Sequence, residues 1–314
     1  MNNNFYYLVP KGYDDLENPK NEYFIIRELM TKNFDITPIY NYTEIGGTCN
    51  GILFNSLKVI LKNKKILTYA NKYKIPIFWW YFDNAETKLA RKIKVIQVAK
   101  KVSIFFNKNK NLFSNYLKSG INPIWLDQGV PKECIFPKTL DCKYDVSFFG
   151  SYEKVHSNRS KLLKKIDEQF NLVIYTKDTN KFLKKGFKNV QSFVPMKFIS
   201  EKIAKINLVL NGDNIAPYCW SNRVHLTIGS GGFSLVENTV GLENYYLNNK
   251  HCIYFNDKKE LIKHLDYWLL NKNKEKREKI SKNGFDHAHK QNSYEMKTNF
   301  FITKIQKFII NKHV

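Results

Sequence analysis

Arg223 is one of only five arginines in a chain with 46 lysines. It stands in Trp220-Ser221-Asn222-Arg223-Val224-His225, just ahead of Gly229-Ser230-Gly231-Gly232-Phe233 and the carboxylates Glu237 and Glu243. A planar guanidinium makes two parallel hydrogen bonds to phosphate oxygens, which a lysine point charge cannot do. Glycines such as Gly231 and Gly232 let a backbone approach a ligand closely, and amides at a helix terminus add partial positive charge. Carboxylates accept hydrogen bonds from ribose and sugar hydroxyls. These parts suit a nucleotide diphosphate held without a metal, with Asn222, Arg223 and the Gly231-Gly232 turn on the diphosphate and Glu237 and Glu243 on hydroxyls. The expected chemistry is sugar transfer from a nucleotide-diphosphate donor, UDP- or GDP-type, in which positioned donors stabilise the charge building on the leaving phosphate. Each residue also has a structural alternative: a surface salt bridge for Arg223, a tight turn for the glycines, and a first-turn helix acid for Glu243.

A second loop has the same character. The strand Asp145–Phe149 runs into Gly150-Ser151 and then His156-Ser157-Asn158-Arg159 at a helix start, a strand, glycine, polar loop and helix order that cradles phosphates. Ser157 or Asn158 serves equally as a helix cap. Earlier in the chain, Phe78-Trp79-Trp80-Tyr81-Phe82-Asp83-Asn84-Ala85-Glu86 ends a strand in an aromatic and acidic cluster. Asp83 is the candidate base or hydroxyl-orienting group for an acceptor, and Trp79 or Trp80 would stack on a sugar; Asp83 as an N-cap is the competing reading. His287 and His289 are two residues apart, which on a helix turns their rings to different sides, so no metal site is expected there. No Asp-x-Asp motif stands at a strand end, which disfavours a metal-dependent transferase. No cofactor beyond the nucleotide sugar is expected.

Two α/β units must position these groups, because short apolar runs alternate with helical patterns as in a parallel sheet covered by helices. In the first half, strands are expected at Phe5–Val9, Ile36–Tyr40, Ile77–Phe82, Val102–Phe106 and Ile124–Leu126, with helices near Glu22–Met30, Ala85–Lys100 and Leu112–Ser119. A polar segment with two prolines between Val130 and Lys143 reads as a linker. Strands then follow at Asp145–Phe149, Leu172–Tyr175, Val190–Phe193, Ile206–Leu210, Phe233–Val236 and Cys252–Phe255, with helices near Arg159–Gln169, Met196–Lys205 and Leu242–Leu247. The expectation is an acceptor-side domain over 1–135, a donor domain over 144–290 and a terminal helix over 291–314, with a ligand cleft between the two α/β units at the strands' carboxyl ends. From Lys258 onward the chain reads as helical. Tyr294, Phe301, Ile305 and Phe308 recur at three- and four-residue spacing with lysines between them, fitting a helix packed on the body or a basic helix lying on an anionic membrane surface.

The chain has 314 residues and a net charge of +23, which points toward polyanionic partners, although an excess of Lys, Asn, Ile, Tyr and Phe is also what an AT-rich genome produces. Five scattered cysteines without a Cys-x-x-Cys pair fit a reducing cytoplasm and suggest neither disulfides nor zinc. The N-terminus lacks the pattern of a signal peptide, and the longest apolar run, Ile77 to Phe82, falls far short of the about 20 residues a membrane span needs. A cytoplasmic protein, free or peripherally attached to a membrane, is expected.

From about Ile75 to Ile302 the ordered landmarks resemble those of the CgeB-like glycosyltransferases, relatives of the glycosyl transferases group 1. Ile75-Pro76 leading to Trp80 and Asp83, Trp125-Leu126-Asp127-Gln128-Gly129-Val130-Pro131, and Asp145 to Ser151 with Arg159 are similar to successive parts of that family. Ser221 to Phe233, which contains His225, continuing to Gly241-Leu242-Glu243, resembles its donor-site core. Lys282-Asn283-Gly284 and Asn292-Ser293-Tyr294 resemble its closing helices. The resemblance implies a GT-B architecture of two Rossmann-like domains, Phe193-Val194 beside the nucleotide base, and retention of anomeric configuration. Two departures stand out: Leu226 fills the place of a glutamate common in relatives, which passes ribose binding to Glu243, and Asn292 replaces a usual histidine. The acceptor it allows is a glycan, a protein or a modified DNA base, DNA being favoured by the charge. A catalytically silent nucleic-acid or glycan binding protein on the same fold is the alternative.

Overall fold

The structure, a computed structural model, describes residues 4–83, 89–137, 142–152, 157–211 and 216–313. The chain divides into two compact units, one comprising Met1–Gly129 with Tyr294–Val314 and the other Val130–Ser293. Each holds one six-stranded sheet in which every paired neighbour is parallel. This is an α/β fold of the GT-B type.

In the first unit the elements run β1 (Asn4–Leu8), α1 (Asn21–Met30), β2 (Asp35–Ile39), β3 (Gly51–Phe54), α2 (Leu57–Lys62), α3 (Lys65–Lys72), β4 (Ile77–Tyr81), α4 (Leu89–Ala99), β5 (Ile104–Asn107), α5 (Phe113–Lys118) and β6 (Pro123–Trp125). The strand order is β2-β1-β3-β4-β5-β6. Parallel strands are covered on both faces, so their sequences are apolar throughout. In β4 alternate side chains show where the two faces lead. Trp79 packs on Phe54 and Phe105, on the side covered by α2 to α5. Phe78 and Trp80 meet Phe308 and Phe301, which belong to the last helix, α11 (Tyr294–His313). That helix also packs on α1, where Phe24 stacks on Tyr294 and the Tyr294 hydroxyl donates to Asn21 at 2.6 Å. Its apolar stripe is therefore spent inside the first unit, with Tyr294, Phe301 and Ile305 at most 1% exposed, which corrects the membrane-surface reading of that stripe. Strand β3 and helices α2 and α3 were not expected from the sequence. Gly51–Phe54 is a four-residue run, too short to show a period.

The second unit runs β7 (Val146–Phe149), α6 (Ser157–Gln169), β8 (Leu172–Thr176), α7 (Thr179–Leu183), β9 (Val190–Ser192), β10 (Ile206–Val209), α8 (Arg223–Gly229), β11 (Ser234–Glu237), β12 (Ile253–Phe255), α9 (Lys258–Leu269) and α10 (Lys274–Asn292). Its order is β12-β11-β10-β7-β8-β9. Where helices were expected near Met196–Lys205 and Leu242–Leu247, short 3₁₀ segments of six and three residues stand at Met196–Glu201 and Leu242–Asn244. One core lies between β7, β8, β10 to β12 and helices α6 and α9, built on Phe148, Ile174, Leu208, Leu235 and Leu265. The opposite face takes α8, which packs closely on α10. Gly284 makes that approach possible, because a Cβ there would sit 2.9 Å from Ile228 Cγ2 of α8, and 2.5 Å from the His251 carbonyl oxygen.

Candidate functional site

In the second sheet the chain goes outward from β7 through β8 to β9, then returns to lay β10, β11 and β12 on the other side of β7. The reversal leaves a crevice at the carboxyl ends of β7 and β10, where α/β sheets bind ligands. A cavity of about 270 Å³ opens beside it. Gly150 and Ser151, directly after β7, line it together with Phe193 and Val194 after β9 and Arg223 at the start of α8. Tyr175 and Lys177, Met196 and Ile199, and Leu226 and Thr227 complete the lining.

The cationic side of this cavity is built on Phe148. The guanidinium carbons of Arg159 and Arg223 each lie 5.5 Å from the centre of that ring. Arg223 Nη2 donates to the Leu210 carbonyl oxygen at the end of β10 at 2.9 Å, and Arg159 Nη2 donates to the Ser151 carbonyl at 2.6 Å. Gly150 is the residue that lets this assembly close. A Cβ there would meet the Phe148 ring at 2.7 Å and Arg223 Nη1 at 3.3 Å. Arg159 itself is 6% exposed and acts from beneath, holding the Gly150-Ser151 loop.

The other walls are aromatic. Phe149 and Tyr175 stack with ring centres 5.0 Å apart and planes 14° from parallel. Burial, with smaller contributions from Tyr144 and Cys142, pushes the Tyr175 phenol up to about 12, so it stays neutral. Phe193 is 41% exposed at the rim, with the Lys177 ammonium 4.2 Å from its ring centre. Flat apolar walls next to a cationic corner accommodate a planar base joined to an anionic group.

Several expected donor residues do other work. Gly231 and Gly232 terminate α8 in a Schellman motif, Gly231 at φ +75° donating to Ile228 O and Gly232 to Thr227 O, both at 3.0 Å. Their amides are used inside the helix end. A Cβ on Gly231 would strike Phe136 and Pro137, and one on Gly232 would strike Asn207, so these glycines admit neighbouring protein atoms and not a ligand, which corrects their donor-binding assignment. His225 is corrected in the same way. At 1% exposure it accepts from Trp220 Nε1 at 3.2 Å and meets the Tyr246 hydroxyl at 2.9 Å, so both ring nitrogens are occupied. Glu237 Oε2 accepts the Asn211 amide at 2.7 Å, tying the end of β11 to the segment after β10, and Glu243 Oε2 accepts the Gly241 amide at 2.8 Å, bracing its own loop. Neither carboxylate lines the cavity. Asn222 precedes α8, and its buried Oδ1 has no hydrogen-bond partner among the described residues. His156 lies outside the described residues.

At the first sheet the reversal falls between β1 and β3. Trp79 and Trp80 are buried at 0% and 1% exposure with their faces against Phe54 and Phe301, so stacking on a sugar is corrected to core packing. Asp83 is exposed at the carboxyl end of β4 and pairs with Arg91 at 2.7 Å. The helix expected from Ala85 is described from Leu89, and residues 84–88 lie outside the described residues. Sequence reasoning passed over Glu22. In the first turn of α1, beside the reversal, this carboxyl is 5% exposed. Burial raises its pKa, the Asp83 charge adds to the rise, and hydrogen bonds from its own backbone and Asn55 oppose it. Asn55 Oδ1 and Trp80 Nε1 are buried without hydrogen-bond partners among the described residues. The only available signal was an acid opening the first helix after the first strand.

The crevice sets two arginines against a flat apolar pocket, an arrangement that suits a nucleotide-like anion. Residues 159–303 match the profile of the glycosyl transferase-like family. No curated protein matches the chain by sequence. Among solved structures, Alr3699/HepE of Anabaena in complex with UDP and glucose is similar at 9% identity and a TM-score of 0.67, over 97% of this chain and 99% of that one. Sucrose-phosphate synthase of Thermosynechococcus elongatus is similar at 6% identity and a TM-score of 0.69, over 98% and 99%. The DNA modifying enzyme beta-glucosyltransferase, studied with and without uridine diphosphoglucose, is similar at 14% identity and a TM-score of 0.62, over 96% and 99%. At these identities the likeness is one of fold. The family match covers 145 of the 314 residues.

Proposed function

We propose that this protein transfers a sugar from a UDP-type nucleotide donor to a hydroxyl acceptor. The carrying observation is the placement of Arg223, Gly150 and Ser151 around one cavity at the strand reversal of the second sheet. Neighbours of the same fold hold UDP or UDP-glucose, which favours uridine over guanosine for the donor. In this reading the base lies between Phe193-Val194 and the Phe149–Tyr175 stack. The Arg223 guanidinium meets the diphosphate and stabilises the charge that builds as the glycosidic bond breaks, a role that needs no metal ion. Arg159 positions the Gly150-Ser151 loop, and Asn222 turns its amide toward the phosphates. On the acceptor side Asp83 orients the attacking hydroxyl. Transfer proceeds with retention of configuration, as the family resemblance implies.

Incubating the protein with a panel of nucleotide sugars and following slow donor hydrolysis tests this. UDP-sugar turnover that disappears in Arg223→Ala is the expected result. Silence across the panel, with no thermal shift by UDP or GDP, would end the proposal.

A further inference from the structure

The charge of the first unit is unevenly placed. Residues 1–50 carry four lysines and arginines against seven acids, whereas residues 51–126 carry 15 against two, Asp83 and Glu86. The second stretch supplies the helices α2 to α5. Their buried side chains, Ile60, Ile66, Val95 and Tyr116 among them, share one core on the same face of the sheet. The lysines therefore project from the outside of a single helical layer: Lys58 and Lys62 on α2, Lys65 on α3, Lys94 on α4, Lys100 after it and Lys110 before α5 are all exposed. Asp83, the one described acid of this stretch, is engaged by Arg91. Composition drift acts on a whole chain. It does not explain an acidic start followed by a cationic layer in the same unit. The second unit also bears many lysines, but Lys164 on α6, Lys181 on α7 and Lys205 before β10 sit against Asp167, Asp178 and Asp145.

We propose that the α2–α5 layer is a docking surface for the phosphate backbone of duplex nucleic acid. It deepens the transferase reading by naming the acceptor class, and its physical basis, surface charge, is independent of the donor cavity. An anionic membrane is the rival polyanion. Lipid insertion would call for an excess of protruding apolar side chains, and the layer has Tyr73, Leu89, Ile93 and Leu117, four of the 17 exposed large apolar side chains among the described residues, no more than its share of the chain length. The layer's cations are lysines apart from Arg91, whose guanidinium is held by Asp83. Lysine ammoniums contact phosphates without the bidentate reading of guanine edges, so binding is expected to be nearly independent of sequence and steeply dependent on salt.

Fluorescence anisotropy of the full chain with a labelled duplex of about 20 base pairs tests this between about 50 and about 200 mM salt. Expected is binding whose logarithmic salt slope falls by roughly 3.6 in the variant Lys58→Glu, Lys62→Glu, Lys65→Glu, Lys94→Glu, since each lost phosphate contact removes about 0.9. The comparison variant Lys161→Glu, Lys165→Glu, Lys184→Glu, Lys185→Glu makes the same charge change on the second unit, and should keep most of the affinity and slope. Equal losses in both variants, no duplex binding at the lower salt, or phosphatidylserine vesicles binding more tightly than duplex would each overturn the proposal. A UDP thermal shift recorded on every variant separates the two readings. If it persists while duplex binding is absent, only the docking surface falls.

Discussion

Arg159 and Arg223 share one ring: each guanidinium carbon is 5.5 Å from the centre of Phe148, a fully buried residue of β7. Two like charges are kept this close because each donates to a backbone carbonyl, Ser151 O for Arg159 and Leu210 O for Arg223, and both lean on the same π-system. The carbonyl at the end of β10 and the loop after β7 are thereby tied to one cationic corner before any anion arrives. Preorganised charge of this kind favours an anionic transition state because no reorganisation is needed at the moment of reaction.

Arg223→Lys tests the fork against mere charge. A lysine retains the positive charge but cannot reach the Leu210 carbonyl and a diphosphate together in the same geometry. We expect kcat/KM with UDP-glucose to fall by about 10²–10³-fold. Activity close to that of the unsubstituted protein would mean that any cation serves there.

Gly150→Ala places a methyl group 2.7 Å from the Phe148 ring and 3.3 Å from Arg223 Nη1. Something must shift, and the guanidinium is the more mobile neighbour. Calorimetric titration with UDP should show affinity reduced by about tenfold, or about 1.4 kcal/mol. Unchanged affinity would show that the corner tolerates displacement.

Gly231→Ala separates a packing glycine from a ligand glycine. The position has φ +75° and abuts Phe136 and Pro137, so alanine should destabilise the fold by about 1–3 kcal/mol in chemical denaturation. UDP affinity of the folded fraction should stay level. A selective loss of affinity would return Gly231 to the donor site.

His251 gives stability a pH dependence. Its ring stacks on His287 with centres 4.0 Å apart, and its Nδ1 accepts the Leu247 amide at 3.1 Å. Burial first, then the charges of His287 and Lys250, lower its pKa to about 4. The unfolded chain then binds the proton more readily than the folded one between about pH 6.5 and 4. Stability is complete above the unfolded value and declines as pH drops through that window. Melting temperature should fall from pH 7 to pH 5, and fall less in His251→Asn, which keeps an acceptor for Leu247. An equal decline in both proteins would assign the effect elsewhere.

Glu22 carries the opposite sign. With its pKa raised in the folded state, the folded protein holds the proton more tightly, so stability declines as pH rises past the usual carboxyl range. Glu22→Gln should therefore raise the melting temperature at pH 7. If the group serves the acceptor reaction, the same variant lowers turnover and alters the acid limb of the pH–rate profile. Higher stability with full activity would restrict Glu22 to a structural part.

The alternation of apolar runs with helical patterns was enough to establish two parallel α/β sheets, because strands covered on both faces must be apolar at every position, as Ile77–Tyr81 is. The loop directly after a strand is also legible in Gly150 and Ser151, whereas Phe193 and Val194, which line the same cavity, were marked out by the family resemblance alone. The role of a glycine or an aromatic ring is not a local property. Gly231 and Gly232 look alike whether they face phosphate or the Phe136-Pro137 segment and Asn207, and only the docking of α8 decided between them. Trp79 and Trp80 end up buried on opposite faces of one sheet because α11, from the far end of the chain, covers one side. Glu22 became visible only when folding carried it out of water beside the strand reversal, since burial and neighbouring charge, which shift a carboxyl, exist only in three dimensions.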